Sequence, residues 1–211
     1  MKLYMVRHGE TDWNKARRIQ GQVDIPLNEF GRRLAKKTAL GLADVPFDLC
    51  YTSPMSRAKE TAKLILQGRE TPVIEDERII EMAFGEFEGK CCAKSGWNLP
   101  EEFRRFFDGP ERYQAPSGGE DFAAVKKRTK EFLEELYGKE EYRDSSILIT
   151  THGAALAGLL NNIKGRSLAE YWDGGVHKNC AVTEVEVVGG KPFIVSENVA
   201  YYDDEVEPWE D

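Results

Sequence analysis

The chain has 211 residues and little of what several function classes require. Basic residues are fewer than acidic ones, 29 against 37, which gives a net charge of −8. Six of the acids lie in residues 203–211, a stretch without a base that we expect to be a solvated tail. Because nucleic acids and anionic membranes attract a surplus of Lys and Arg, we expect no nucleic-acid partner and no membrane partner.

Long apolar runs and metal-binding patterns are also missing. The longest stretch without a charged side chain, 145–163, is too polar to span a bilayer, and the apolar start 3–6 is too short for a signal peptide. Two of the four cysteines are the adjacent Cys91 and Cys92, and the cysteines form no C-x-x-C pair and no Cys/His cluster of metal-ligand spacing. We therefore expect no bound metal, reduced thiols and a cytoplasmic location.

Hydrophobic periodicity and turn residues predict strands that alternate with helices. Helix patterns begin after Asn28, a good N-cap residue, and recur further along the chain. The strand patterns cover 2–6, 49–52, 72–75, 146–150, 182–188 and 193–198, and the later helix patterns cover 56–67, 120–137 and 154–163. This alternation predicts a three-layer α/β/α fold, with a mainly parallel sheet and helices on both faces.

The length fits one domain, which we assign to residues 1–202, followed by the acidic tail 203–211. Residues 90–116 differ from the rest because aromatic residues, bases and prolines are mixed there, and we predict a small helical cap inserted into the sheet. Two interpretations of the cap stand side by side: it selects the substrate, with Arg104 and Arg105 as candidates, or it only covers the sheet.

The chain has only three histidines, and two of them directly follow predicted strands. Arg7 and His8 come after the first strand, Arg57 after the second, and His152 after the strand that ends near residue 150. In a wrapped parallel sheet the carboxyl ends of strands form the ligand site, so these side chains are expected to converge. Two guanidiniums with two imidazoles suit a phosphoryl group, since Arg donates to its oxygens and His is a donor or a nucleophile.

Two further expectations concern the environment of this site. The amides that open the helix at Gly153 and Ala154 would add an oxyanion-binding end. Attack by His8 requires an unprotonated ring nitrogen, and the charges of Arg7 and Arg57 should lower the pKa of His8 and so help it. The other ring nitrogen is expected to donate to a backbone carbonyl, which selects the tautomer.

At these residues the chain resembles a known family. The stretch 7–14, Arg-His-Gly-Glu-Thr-Asp-Trp-Asn, is similar to the R-H-G-x-T-x-W-N signature of the histidine phosphatase superfamily, which includes the phosphoglycerate mutases. Further blocks follow in the family order over most of the chain: Gln20-Gly21, Asp24, Pro26-Leu27, Gly31, Ser53-Pro54, Arg57-Ala58, Thr61-Ala62, Glu81, Phe84-Gly85, Phe87-Glu88-Gly89, Gly118-Gly119-Glu120, Arg128 and Thr151-His152-Gly153.

The resemblance implies roles for these residues. His8 would be the nucleophile that forms a phosphohistidine, and Glu81 the proton donor that protonates the leaving oxygen and later activates water. No metal or other cofactor is implied. The phosphoryl oxygens would be bound by a polar set: Arg7, Asn14, Gln20, Gly21, Arg57 and His152. The third histidine, His177, matches no catalytic block and is interpreted as a loop histidine at the rim of the site.

The leading functional hypothesis is a metal-independent phosphomonoesterase that acts on a small phosphorylated metabolite. The alternatives are a phosphoglycerate mutase and a non-catalytic phosphate-binding relative. Residues 84–89, Phe-Gly-Glu-Phe-Glu-Gly, resemble the F-G-x-W-E-G of the phosphatase branch more than the Y-G-x-L-Q-G of the mutases, and the mutases' R-R-S-Y-D element is missing. The patterns do not select the natural substrate, and a homodimer, common in the family, stays open.

Overall fold

A computed structural model describes residues 1–203, so all of the predicted acidic tail except Asp203 lies outside the described residues. The strands are β1 (Lys2–Arg7), β2 (Leu49–Thr52), β3 (Val73–Glu75), β4 (Ser146–Thr151), β5 (Val182–Val188) and β6 (Lys191–Val199). The α-helices are α1 (Asp12–Lys15), α2 (Glu29–Gly41), α3 (Ser56–Leu66), α4 (Arg105–Asp108), α5 (Phe122–Gly138) and α6 (Gly153–Lys164).

The strands form one six-stranded sheet in the order β3-β2-β4-β1-β5-β6. The pairs β1/β4, β2/β4 and β2/β3 are parallel, whereas β5 and β6 form an antiparallel hairpin beside β1. The hairpin turns at Gly189 and Gly190, both with positive φ, a conformation that glycine adopts at little cost. The mainly parallel sheet is confirmed.

Helices cover both faces of the sheet, because consecutive residues of β1, β2 and β4 are buried and successive side chains of a strand point to opposite faces. In β1, Leu3 and Met5 pack in a core with side chains of α5 and α6 such as Phe132 and Leu159. Tyr4 and Val6 of the same strand belong to a second core with residues of α3. The three-layer α/β/α arrangement is therefore confirmed.

The 90–116 region forms several short helices rather than one long helix. It contains 3-10 helices at Lys94–Gly96, Glu101–Arg104 and Pro110–Arg112, with α4 between the last two. Phe103 and Phe106 are buried and stack at 5.2 Å between ring centroids with an interplanar angle of 11°. The cap therefore has an aromatic core of its own, which adjoins the start of α5 through Phe122.

One local element differs from the prediction. The stretch between the first predicted strand and Asn28, where no strand or helix is predicted, contains the one-turn helix α1. Thr11 and Asn14 form a reciprocal capping box, in which each side chain accepts from the other residue's backbone N–H. The usual partner at the second position is Glu or Gln, so Asn14 there gave no helix signal.

Candidate active site

The carboxyl ends of β1 and β4 lie side by side and bring the predicted site residues together. Arg7 pairs with Thr151 at the end of the parallel register, and the backbone N–H of His8 donates to the Thr151 carbonyl at 2.9 Å. Helix α6 begins one residue after His152. The rings of His8 and His152 are 5.1 Å apart between centroids.

Three hydrogen bonds of His8 and its neighbour Gly9 fix the position of the His8 ring. Its Nδ1 lies 2.7 Å from the carbonyl oxygen of Gly9, so Nδ1 carries the proton and Nε2 bears the lone pair. The N–H of Gly9 donates to Thr61 Oγ1 at 3.0 Å, and the Asn179 side chain donates to the His8 carbonyl at 2.8 Å. The predicted backbone partner that selects the tautomer is confirmed.

The surroundings of His8 favour its neutral form. The side chain is 3% exposed, and burial, then the charge of Arg57, then that of Arg7, lower its pKa well below the usual value of 6.5. The predicted direction of this pKa shift is confirmed, although burial is a larger cause than the two arginines. A neutral imidazole with a lone pair on Nε2 is the form that can attack phosphorus.

Arg57 and His152 form a buried pair beneath the cleft. Arg57 Nε donates to His152 Nδ1 at 3.2 Å, and His152 Nε2 lies 2.7 Å from Ser53 Oγ. The remaining Arg57 nitrogens donate to the carbonyls of Gly21 and Val23. Burial, with the nearby positive charge of Arg57, lowers the pKa of His152 well below 6.5, so this ring is also neutral.

Arg7 reaches the cleft from the end of β1. Its Nη1 donates to the His177 carbonyl at 2.7 Å. Burial lowers the pKa of Arg7 to about 10, while the charge of Glu81 raises it, so the guanidinium stays protonated at neutral pH. His177 lies in a loop and contacts the site through its backbone carbonyl, while its buried ring lies 3.3 Å from Glu197. The position at the rim of the site stays a prediction.

Glu81 lies at the N-terminus of α6 and is 6% exposed. Its carboxylate accepts from the backbone N–H groups of Met82 at 2.9 Å, Ala154 at 3.2 Å and Ala155 at 3.0 Å. The first turn of α6 thus holds the side chain that the resemblance names as proton donor. The N–H of Ala154, predicted to bind a phosphoryl oxygen, donates to Glu81 instead, because the carboxylate already occupies this end of the helix.

The remaining predicted phosphate ligands lie around the same end of the cleft. Asn14 and Gln20 line it, and the Asn14 amide oxygen accepts from Thr11, which leaves its amide nitrogen as a donor. With its oxygen turned toward Arg57, the Gln20 amide accepts from that guanidinium at 3.0 and 3.1 Å. Gly21 contributes the carbonyl that holds Arg57.

These residues surround an open cleft. Its polar end contains Arg7, His8, Asn14, Gln20 and Glu81, whereas apolar side chains line the rest. Arg104, a candidate for substrate selection, does not line the cleft: it pairs with Glu101 and stacks over Trp97. The apolar lining comprises Ile19, Phe84, Phe106, Phe107, Trp172 and Val176.

Sequence reasoning missed several residues that position the site. Ser53 belongs to one of the blocks that carry the family resemblance but has no predicted role, yet its hydroxyl contacts His152. Asn179 carried no local signal, since it follows His177 in a loop that is far from His8 in the sequence. Trp172 and Val176 of the same region also join the cleft only in three dimensions.

Two other features of the described residues concern metal ions and membranes. Residues 1–203 contain no group of three or more His, Cys, Asp or Glu side chains arranged to hold a metal ion. Within the same range, every helix is too short or too polar to cross a membrane. Cys50, Cys91, Cys92 and Cys180 form no disulfide.

Comparison with known proteins gives concordant matches. The family model of the histidine phosphatase superfamily (branch 1) matches residues 3–200. A curated relative named phosphoserine phosphatase 1, from Hydrogenobacter thermophilus, is 33% identical over 175 residues, which cover 83% of this chain and 82% of that protein.

Two further matches show the range of the relatives. A 2,3-bisphosphoglycerate-dependent phosphoglycerate mutase 2 from Gloeobacter violaceus is 33% identical over 165 residues, 75% of this chain and 73% of that protein. The solved structure of YhfR from Bacillus stearothermophilus is 36% identical and superposes with a TM-score of 0.87, covering 94% of this chain and 97% of that one.

Proposed function

The chain belongs to the histidine phosphatase superfamily and is a phosphoric monoester hydrolase, and we propose that it works through a phosphohistidine on His8 without a metal ion. One observation carries the proposal: His8 is neutral, with Nδ1 held by the Gly9 carbonyl and Nε2 bearing the lone pair. The imidazole is thus prepared for attack at neutral pH.

In the first step, His8 Nε2 attacks phosphorus and the bond from phosphorus to the ester oxygen breaks. Glu81 gives its proton to the departing alcohol oxygen. In the second step, Glu81 takes a proton from water, whose oxygen attacks the phosphohistidine. Phosphate then leaves and the neutral imidazole is restored. Glu81 suits both steps because three backbone N–H groups hold its carboxylate in one place.

The cationic residues supply the charge stabilisation that a metal ion would otherwise provide. Arg7 lines the cleft beside His8, with one nitrogen anchored on the His177 carbonyl. Arg57 lies beneath, and its charge reaches His8. The amides of Asn14 and Gln20 complete the proposed binding set for the phosphoryl oxygens, with the neutral His152 behind them.

Two relatives are named for phosphoserine and for phosphoglycerate, which are both small phosphorylated metabolites. We therefore assign a small phosphorylated metabolite as the substrate class. A cytoplasmic location and a homodimer stay predictions.

The test is release of nitrophenol from p-nitrophenyl phosphate by the wild type and His8→Ala. We expect turnover by the wild type and none by the variant, together with acid-labile phosphate on the wild type that His8→Ala lacks. Turnover that survives His8→Ala would contradict the proposal. Wild-type protein that interconverts phosphoglycerates instead of releasing phosphate would identify the mutase alternative.

A further inference from the structure

The side chains that line the cleft are of two chemically different kinds. Every charged or amide side chain of the lining, including Arg7 and Glu81, lies in the set already assigned to phosphoryl transfer. Besides these and His8, the lining side chains are aromatic or aliphatic, and Phe107 among them is 38% exposed. We call this apolar part of the lining the outer half, and the alcohol part of a phosphomonoester would occupy it. The outer half therefore determines the preference for the alcohol part of the substrate, whereas the polar residues bind the phosphate.

Contacts within the protein hold the outer wall in place. Trp172 Nε1 donates to the Phe106 carbonyl at 2.6 Å, so the indole N–H is already used and the ring offers apolar surface. The Phe106 ring lies 5.2 Å from Trp172 and 4.9 Å from Phe107 between centroids. Phe107 remains 38% exposed, so part of its ring can contact a ligand in the cleft that it lines.

Three bases of the cap, Lys90, Arg104 and Arg112, have partners outside the cleft. Arg104 pairs with Glu101, Arg112 with Glu111, and Lys90 lies 4.7 Å from the Phe87 ring centroid. Of the Lys and Arg side chains that the structure describes, only that of Arg7 lines the cleft. A carboxylate or ammonium on the alcohol would therefore lose water in the outer half without gaining a partner, which is unfavourable.

We propose that, given the proposed function, the protein acts on phosphate monoesters of apolar alcohols, preferably aromatic ones, and that Phe107 and Trp172 contact the alcohol. The same wall disfavours alcohols that carry a carboxylate or an ammonium beside the ester. Phe107 is the specificity-determining residue that can be changed with least damage to the fold, because it is exposed while its neighbour Phe106 is buried.

The experiment compares 2-phenylethyl phosphate with O-phosphoserine. Both are esters of unactivated primary alcohols, so the comparison reports on the outer half rather than on the leaving group. We expect kcat/KM of the wild type to be at least about tenfold higher for the phenylethyl ester, the scale on which apolar pockets discriminate. Phe107→Ser should lower that value about tenfold and leave the value for phosphoserine within about twofold.

Two more variants sharpen the test. Phe193→Ser is the matched control, since Phe193 is 56% exposed on β6 and does not line the cleft, so both values should stay unchanged. Phe107→Arg places a cation at the mouth and should raise kcat/KM for phosphoserine while lowering it for the phenylethyl ester. This second substitution also serves if Phe107→Ser does not fold.

Equal or better hydrolysis of phosphoserine by the wild type contradicts the inference, and so does an equal loss on both esters in the folded Phe107 variants. Turnover of p-nitrophenyl phosphate in the same preparation separates this failure from that of the proposed function. If p-nitrophenyl phosphate is hydrolysed and phosphoserine is preferred, only the inference fails. If no ester is hydrolysed, the proposed function fails and the inference with it.

Discussion

Arg57 donates from Nε to His152 Nδ1 at 3.2 Å, so a buried cation is hydrogen-bonded to a histidine that must remain neutral to accept. The proton of His152 is thereby placed on Nε2, 2.7 Å from Ser53 Oγ. The same guanidinium lowers the pKa of His8. Burial and this one arginine together favour the neutral form of both histidines of the site.

The first prediction is that acid weakens the folded state through these histidines. An unfolded histidine titrates near 6.5, whereas the pKa values of His8 and His152 are well below that in the folded protein. Below about pH 6.5 the unfolded chain binds more protons, so the contribution is present above this pH and is lost as the pH falls. Each histidine should lower the free energy of unfolding by about 1 kcal/mol between pH 7.5 and 5.5.

Urea unfolding at the two pH values measures this loss. His152→Asn removes one of the two groups, so its loss between pH 7.5 and 5.5 should be about 1 kcal/mol smaller than that of the wild type. An unchanged pH dependence in this variant would show that His152 is protonated equally in both states.

The second prediction concerns Glu81 and the leaving group. Glu81→Gln keeps an oxygen that can accept from the N-terminus of α6 but has no proton to transfer. We expect kcat for an unactivated alkyl ester to fall by about 10²- to 10⁴-fold, the usual contribution of general acid–base catalysis. The first half-reaction with p-nitrophenyl phosphate should fall much less, because nitrophenolate leaves without a proton. Burst kinetics on both esters provide the measurement, and equal losses would argue against proton donation.

A third prediction is that chelators leave the activity intact. The described residues contain no cluster of metal-ligating side chains, and Arg7 and Arg57 carry the positive charge instead. Dialysis against EDTA should leave kcat within about twofold, since electrostatic stabilisation then comes from the protein. Activity that is lost in EDTA and restored by a divalent metal would overturn this expectation.

The fourth prediction tests the contact between the loop after β1 and helix α2. A Cβ added to Gly31 would lie 2.2 Å from the carbonyl oxygen of Glu10, a backbone atom that cannot move without the catalytic loop. Gly31→Ala should therefore destabilise the fold by about 2 kcal/mol or more. Gly138→Ala is the control: no atom lies within 4 Å of its added Cβ, and alanine in a helix should be neutral or stabilising. Thermal unfolding of both variants measures the change in stability, and an equal stability of Gly31→Ala and the wild type would contradict the prediction.

The predicted bounds of the strands agree with the observed ones within about two residues. The reason is that the pattern of apolar residues in a buried strand or an amphipathic helix follows from which of its side chains are buried. Val182–Val188 is the clearest case, with the same bounds in the structure. The one-turn helix α1 was missed because its signal is a single cap. The cap region could be located by composition, but its short helices follow from packing around Phe103 and Phe106, which local patterns do not encode.

The sequence by itself determined the order of strands and helices, the family, and the residues Arg7, His8, Arg57, Glu81 and His152 that the site brings together. Strand ends and ordered motifs are local properties, so they can be read without coordinates. Only the tertiary structure decided that Glu81 occupies the start of α6, that Asn179 supports His8, and that Phe107 and Trp172 form an apolar wall. These contacts join residues distant in the chain, and they depend on long-range packing rather than on local preference.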